Sequence, residues 1–158
     1  MMTGYLGVMM VKMMNNLFNT PFEMELRILI VLSQTSDVCT TDRILSYDFM
    51  ACYSAEFKLN DTNLHGINNY KFGEIASRKE LVTEAIKSLV VKGLVRVEIK
   101  DGYYFIISDM GQIYINRFES AYAMEYRNNV KSVVEAYGDK EDKELLRTIQ
   151  KNSIIVEG

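Results

Sequence analysis

His65, Cys39 and Cys52 are the only histidine and cysteines in a chain of 158 residues. A structural zinc centre of the usual Cys/His type needs four such ligands, so none can be built here. A nucleophile–base pair would have to use His65 as the base, and neither cysteine is flanked by a recognisable nucleophile signature. For His65, in Asn63-Leu64-His65-Gly66, a structural hydrogen bond or a partner contact outweighs catalysis. Three carboxylates, Asp48, Glu56 and Asp61, are placed to cluster, with Asp48 and Glu56 about two helical turns apart. Paired, they would suit acid–base work or a metal. The plainer reading, solvated helix-end charges or salt bridges to a basic helix, carries more weight. No glycine-rich phosphate loop and no GxGxxG follows a strand. The expectation is therefore a chain with no catalytic residues, no metal and no cofactor.

The elements that would position these residues are legible from caps and periods. Thr20, Pro21 and Glu23 form a capping box with proline at the first helical position. The following apolar face, Phe22, Leu26, Leu29 and Leu32 with Ile28, Ile30 and Val31, is too wide for a surface helix. A second helix is expected from a Thr41 or Asp42 cap to about Ser54. Residues 55–76 read as a long Asn/Asp/Gly-containing loop, and Ser77 with Glu80 as the capping box of a third helix ending at Gly93. Alternating Val95, Val97 and Ile99 precede Lys100-Asp101-Gly102 and then Tyr103 to Ser108, which predicts a tight hairpin. Ser108 or Asp109 caps a helix holding Ile113, Ile115 and Phe118, with Phe118 and Tyr122 as core neighbours. Helices over 120–137 and about 139–151 follow.

This order predicts an α+β, mainly α fold: a winged-helix domain with a β-hairpin wing and a C-terminal helical extension. The expected division is a flexible leader at 1–14, a winged-helix domain at 15–108 with its long loop at 55–76, and C-terminal helices at 109–158 packing on it. The leader carries six of the ten methionines and is too short and too weakly patterned for a membrane span or a signal peptide. With two cysteines and no such segment, a cytoplasmic protein is expected.

The formal charge of −3 argues against a nucleic-acid coat protein. Residues 77–100 are locally basic, and Arg78, Lys79, Lys87, Arg96 and Lys100 are the candidates for contact with DNA or a partner. Arg78 and Lys79 are expected at the start of the third helix, where a recognition helix would touch DNA. Glu80 and Glu84 share that helix and oppose phosphate binding. Tyr103, Tyr104, Tyr114, Tyr122, Tyr126 and Tyr137 exceed what a small core needs, so protein contacts compete evenly with an aromatic core having solvated hydroxyls.

Asp48-Phe49, Tyr53-Ser54-x-Glu56, Asn63-Leu64-His65-Gly66 and Arg78-Lys79-x-Leu81 occur in this order, before Lys92-Gly93-Leu94-Val95. The arrangement resembles the middle component of bacterial ABC-three-component systems, which include Lamassu-type anti-phage defence. The family pattern runs Asp-aromatic, His-Ser-x-Asp, Ser-Leu-His-Pro, Arg-Arg-x-Leu. This sequence departs from it at Tyr53, Glu56 and Gly66 and keeps Asp48, Ser54, Leu64, His65 and Arg78. The resemblance spans about residues 17–137. It implies a non-catalytic subunit bridging the heads of an SMC- or Rad50-like ABC ATPase and an effector nuclease. Double-stranded DNA would be met only within that complex, and no membrane is implied. Asp48, His65 and Arg78 would then fix the loop against the helices or touch the ATPase. The alternative is a standalone winged-helix transcription regulator, dimerising through residues 109–137.

Overall fold

The computed structural model describes residues 20–65 and 71–157. The expected leader at 1–14 and Gly66 of the loop motif lie outside them. The chain is α+β and mainly helical. Its elements are α1 (Pro21–Ser33), α2 (Thr41–Cys52), a 3-10 turn (Ser54–Phe57), α3 (Lys71–Val91), β1 (Val95–Ile99), β2 (Tyr103–Ile107), α4 (Asp109–Ile115), α5 (Ala121–Tyr137) and α6 (Asp142–Glu157).

α1 starts as expected. Thr20 is its N-cap, accepting a hydrogen bond from the Glu23 amide at 3.3 Å, and Pro21 follows where no amide donor is needed. Met24 and every residue from Leu26 to Leu32 are buried, so α1 is surrounded rather than amphipathic. It packs against α2, α3, α4, α5 and β2, which makes it the axis of the core. Phe22, expected on the buried face, sits at the second position of the helix and is instead 54% exposed. Its ring stands 6.1 Å from that of Phe118.

α2 is capped by Thr40, one residue earlier than expected, and is buried continuously from Ile44 to Cys52. α5 packs across it, and α6 packs on its other side. Arg43 of α2 donates to Asp142 at 2.8 Å, and the Thr40 hydroxyl donates to the same carboxylate at 2.6 Å, which anchors the start of α6. Tyr126, Val130, Val133, Leu145 and Ile149 from α5 and α6 belong to the same buried cluster as α1 and α2.

The segment expected as one long loop is shorter and partly regular. The 3-10 turn opens it, and α3 begins at Lys71, so Ser77 lies inside the helix rather than at its cap. Gly93 then takes φ +78°, the left-handed conformation that ends a helix with least cost to glycine. β1 and β2 pair antiparallel with Val95 opposite Ile107 and Ile99 opposite Tyr103. On the far edge of β2, Cys39 exchanges two backbone hydrogen bonds with Phe105 at 2.8 and 2.9 Å, adding a one-residue third strand. Ser108 caps α4, which ends at Ile115, so Phe118 lies past it and half-buried. Phe118 and Tyr122 therefore do not share a helix. Phe118 pairs its ring with Phe22 and Tyr114, whereas Tyr122 stacks on His65. Among the described residues, no helix is long and apolar enough to cross a membrane.

Candidate functional site

The side chains that looked able to do chemistry meet in the interior, around Asp48. Its carboxylate is fully buried on α2. Oδ1 accepts from Arg27 Nε at 2.9 Å and from the Tyr126 hydroxyl at 2.6 Å. Oδ2 accepts from Arg78 Nη1 at 3.0 Å. Three helices, α1, α3 and α5, thus each send one side chain to a single carboxylate on a fourth, α2. The Arg78 guanidinium lies 5.5 Å from the ring centres of both Phe49 and Tyr53, a cation–π seat on two faces. Burial alone would raise the Asp48 carboxyl, but Arg27 and Arg78 outweigh it and hold it well below the usual carboxylate range. Burial also works against the Arg27 charge, yet Asp48 keeps it above its ordinary value.

One turn further along α2, Cys52 stands beside this group. Its sulfur is 3.7 Å from Asp48 Oδ1 and 3.7 Å from His65 Nε2. His65 Nε2 and the Tyr122 hydroxyl share a 2.6 Å hydrogen bond, and the two rings stack with centres 5.9 Å apart. The His65 amide also donates to the Cys52 carbonyl at 3.2 Å, fastening the loop to the end of α2. An acid, a thiol and an imidazole are therefore in line, the types of a nucleophilic triad but with the thiol, not the imidazole, in the middle. Their ionisation runs the other way. Burial and the Asp48 charge push the Cys52 thiol up to about 11. Burial, with Arg27 and Arg78 nearby, lowers His65 from 6.5 to about 2. Burial likewise raises the Tyr122 phenol, which keeps its proton beside Nε2. A reactive cysteine needs a depressed pKa and access, and Cys52 has neither, being fully buried. At neutral pH the arrangement can hold loop, α2 and α5 together, and it cannot generate a thiolate.

That depressed imidazole has a consequence for stability. In the unfolded chain His65 takes up a proton near pH 6.5, while in the folded chain it does so only near pH 2. The unfolded state binds more protons throughout that window, so stability is complete above pH 6.5 and falls as the pH drops. The slope approaches roughly 1 kcal/mol per pH unit below pH 6, a loss of about 2 kcal/mol between pH 6.5 and 4.5. Urea unfolding of wild type and His65→Gln at several pH values checks it: the variant should lack this part of the slope. Parallel curves would contradict it.

A polar ring continues the clamp outward. Asn129 of α5 donates to the Ala51 carbonyl at 3.1 Å and accepts from Asn60 at 2.5 Å. Asn60 also donates to the buried Ser54 hydroxyl at 3.0 Å, and the Ala55 amide donates to Asn63 at 3.0 Å. Leu64 packs half-buried on the core. Asp61 is exposed and takes no part, and among the described residues no group of three or more His, Cys, Asp and Glu is placed to hold a metal. Asp48 is thus a buried salt bridge to the basic helix, as the plainer reading held, and is not a solvated helix-end charge.

Comparison with known families decides the identity. The family model described as "ABC-three component (ABC-3C) system Middle Component 2" matches residues 17–156. The chain belongs to this family. No curated protein matches this Middle Component 2 chain, and no solved structure matches it.

Within the Middle Component 2 chain, the motif residues Asp48, Ser54, His65 and Arg78 are all buried: Arg78 meets Asp48 directly, His65 meets it through Cys52, and Ser54 is held by Asn60, with Leu64 partly buried on the core. The cations expected to face DNA or a partner do not behave alike. Arg78 is 1% exposed, because α3 starts seven residues upstream and carries it into the packed part of the helix. It is not a surface contact. Lys79 is exposed but 3.2 Å from Asp42, Lys87 lies 3.5 Å from Glu84, and Lys100 lies 3.9 Å from Glu98. Arg96 is exposed on β1. Arg27, Cys52, Tyr122 and Tyr126 are functional to the clamp and were not singled out for it by sequence. Arg27 had a usable signal: the one charge inside the buried run Leu26–Leu32 must be paired when the helix is buried all round.

Proposed function

We propose that this Middle Component 2 chain is a non-catalytic, cytoplasmic accessory subunit of an SMC- or Rad50-like ABC ATPase complex in Lamassu-like anti-phage or anti-plasmid defence. In this reading it bridges the ATPase heads and an effector nuclease, and it meets DNA only inside the assembly. The observation that carries it is the fate of the reactive groups. Asp48, Cys52 and His65 are buried and spent on interhelical bonds, while large apolar side chains such as Ile99, Tyr103, Met110 and Ile113 stand more than half exposed. Such a surface suits protein contacts better than a small-molecule site. A winged-helix plan is supported by the order of three helices and a hairpin, and by the Cys39 bridge that gives the hairpin a third strand.

The standalone regulator is the weaker reading. Lys79, Lys87, Lys92 and Lys100 each lie within 4 Å of a carboxylate, so the free cation count along the would-be DNA face is low. The test is co-expression with the ABC ATPase encoded beside the gene. A stable complex is expected, and the double charge reversal Lys79→Glu with Lys87→Glu should leave assembly intact while lowering the salt slope of DNA binding by about one per lysine. Absence of a complex, with tight duplex binding by the chain alone, would overturn the proposal.

A further inference from the structure

Among the described residues no strand pairs with the outer edge of β1, and its hydrogen-bonding groups can be assigned residue by residue. Phe105 spends its amide and carbonyl on Cys39, away from β1, so its partner Val97 faces it without hydrogen bonds. The Ser108 amide donates to the Leu94 carbonyl at 3.0 Å and the Lys100 amide to the Gly102 carbonyl at 3.0 Å, which sets the same alternation. The amides and carbonyls of Val97 and Ile99 therefore point outward from the sheet. Arg96 to Ile99 are all exposed. This edge carries no proline, and its pairing with β2 runs without a bulge, so two usual guards against edge pairing are missing.

The side chains on this edge are ordered in a way that matches themselves. The strand reads Val95-Arg96-Val97-Glu98-Ile99. Laid antiparallel on a copy of itself about Val97, it sets each Arg96 opposite the Glu98 of the other copy, twice, on one face. The outward-pointing groups of the two Val97 residues then exchange both hydrogen bonds, as do those of Val95 and Ile99. On the opposite face, Val97, Ile99, Tyr103 and Phe105 share the side turned to α3. There Val97, Tyr103 and Phe105 meet Ile86, Val90 and Val91 around a groove of about 670 Å³. Val91 is 87% exposed and Ile99 72%. A second strand would continue this apolar face over α3.

We propose that two copies of this chain pair edge to edge through β1, antiparallel about Val97, with reciprocal Arg96–Glu98 pairs and the apolar face folded onto α3. This rests on the strand geometry and is independent of the accessory-subunit reading. Sedimentation equilibrium of the purified full chain should show a concentration-dependent dimer. Arg96→Glu and Glu98→Arg each bring like charges together at both pairs and should raise its dissociation constant by about tenfold. The combined swap R96E/E98R restores opposite charges and should return it to within about threefold of wild type. Val97→Pro removes an outward amide and no hydrogen bond to β2, so it should leave the circular dichroism spectrum unchanged and abolish dimerisation. A wild-type chain that stays monomeric at millimolar concentration would overturn the proposal. So would a dimer indifferent to both single reversals and to Val97→Pro, since that would place the contact elsewhere on the surface.

Discussion

Asp48→Asn is expected to cost about 3–5 kcal/mol of folding free energy, because it leaves two buried guanidinium groups without their anion. Asparagine keeps the volume and one oxygen for Tyr126 and Arg27, and turns an amide donor toward Arg78, so the loss combines the missing charge with one donor–donor contact. Arg27 is fully buried and Arg78 nearly so, and neither can turn to water without dismantling α1 or α3. Set against total stabilities of about 5–15 kcal/mol for a domain, this should lower the melting temperature by about 10 °C or more. Tyr126→Phe removes one 2.6 Å bond to the same carboxylate and should cost about 1–2 kcal/mol. The two substitutions act on one network, so their sum should exceed the double variant's loss. Additive losses in urea unfolding would mean that Asp48 and Tyr126 are not coupled.

Gly111→Ala should cost about 3 kcal/mol, at the upper end for overpacking. A Cβ built at Gly111 would stand 2.1 Å from the Leu94 carbonyl oxygen and 2.8 Å from Ile107 Cγ1. The nearer obstacle is backbone, and that carbonyl already accepts from the Ser108 amide. Neither side can yield without separating α4 from the base of the hairpin. The reading is a lower unfolding midpoint together with faster amide exchange in β1 and β2. An alanine variant as stable as wild type would show that α4 can move away from the hairpin freely.

Local signals carried much of the fold. The Thr20–Pro21–Glu23 start of α1, the Asp101-Gly102 turn, the Gly93 stop and the Ser108 cap each rest on chemistry within a few residues. Helix α3 was misplaced for the same reason. Ser77 and Glu80 imitate a cap, while residues 55–70, rich in asparagine, aspartate and glycine, hide both the 3-10 turn and a helix that starts at Lys71. That error moved Arg78 from the core to an imagined surface.

The clamp was legible only in part. Asp48, His65 and Arg78 drew notice through a family pattern, and a salt bridge to the basic helix was among the plain readings of Asp48. Arg27 and Tyr126 did not, because their bonds to Asp48 span 21 and 78 residues and leave no periodic trace. Tyr126, one of the tyrosines in excess of what a small core needs, is buried with its hydroxyl on Asp48, whereas Tyr103 is 65% exposed. Tyr47 and Tyr53, outside that set, are buried with hydroxyl or ring engaged by Arg43 or Arg78. Tyrosine suits a core whose polar centre must be satisfied from several sides, since one side chain brings both apolar area and a donor.

The central claim is that Asp48, Cys52 and His65 form a clamp that shapes the subunit, with no reacting atom among them. Cys52→Ala tests it most directly, in the complete ABC-three component system with its ATPase and effector, measured for defence activity and for thermal unfolding of the isolated chain. The account predicts activity within about twofold of wild type, with the melting temperature lowered by the lost sulfur packing. A hundredfold loss of activity, with the subunit still folded and still assembled, would mean that the thiol reacts, and the account would fail.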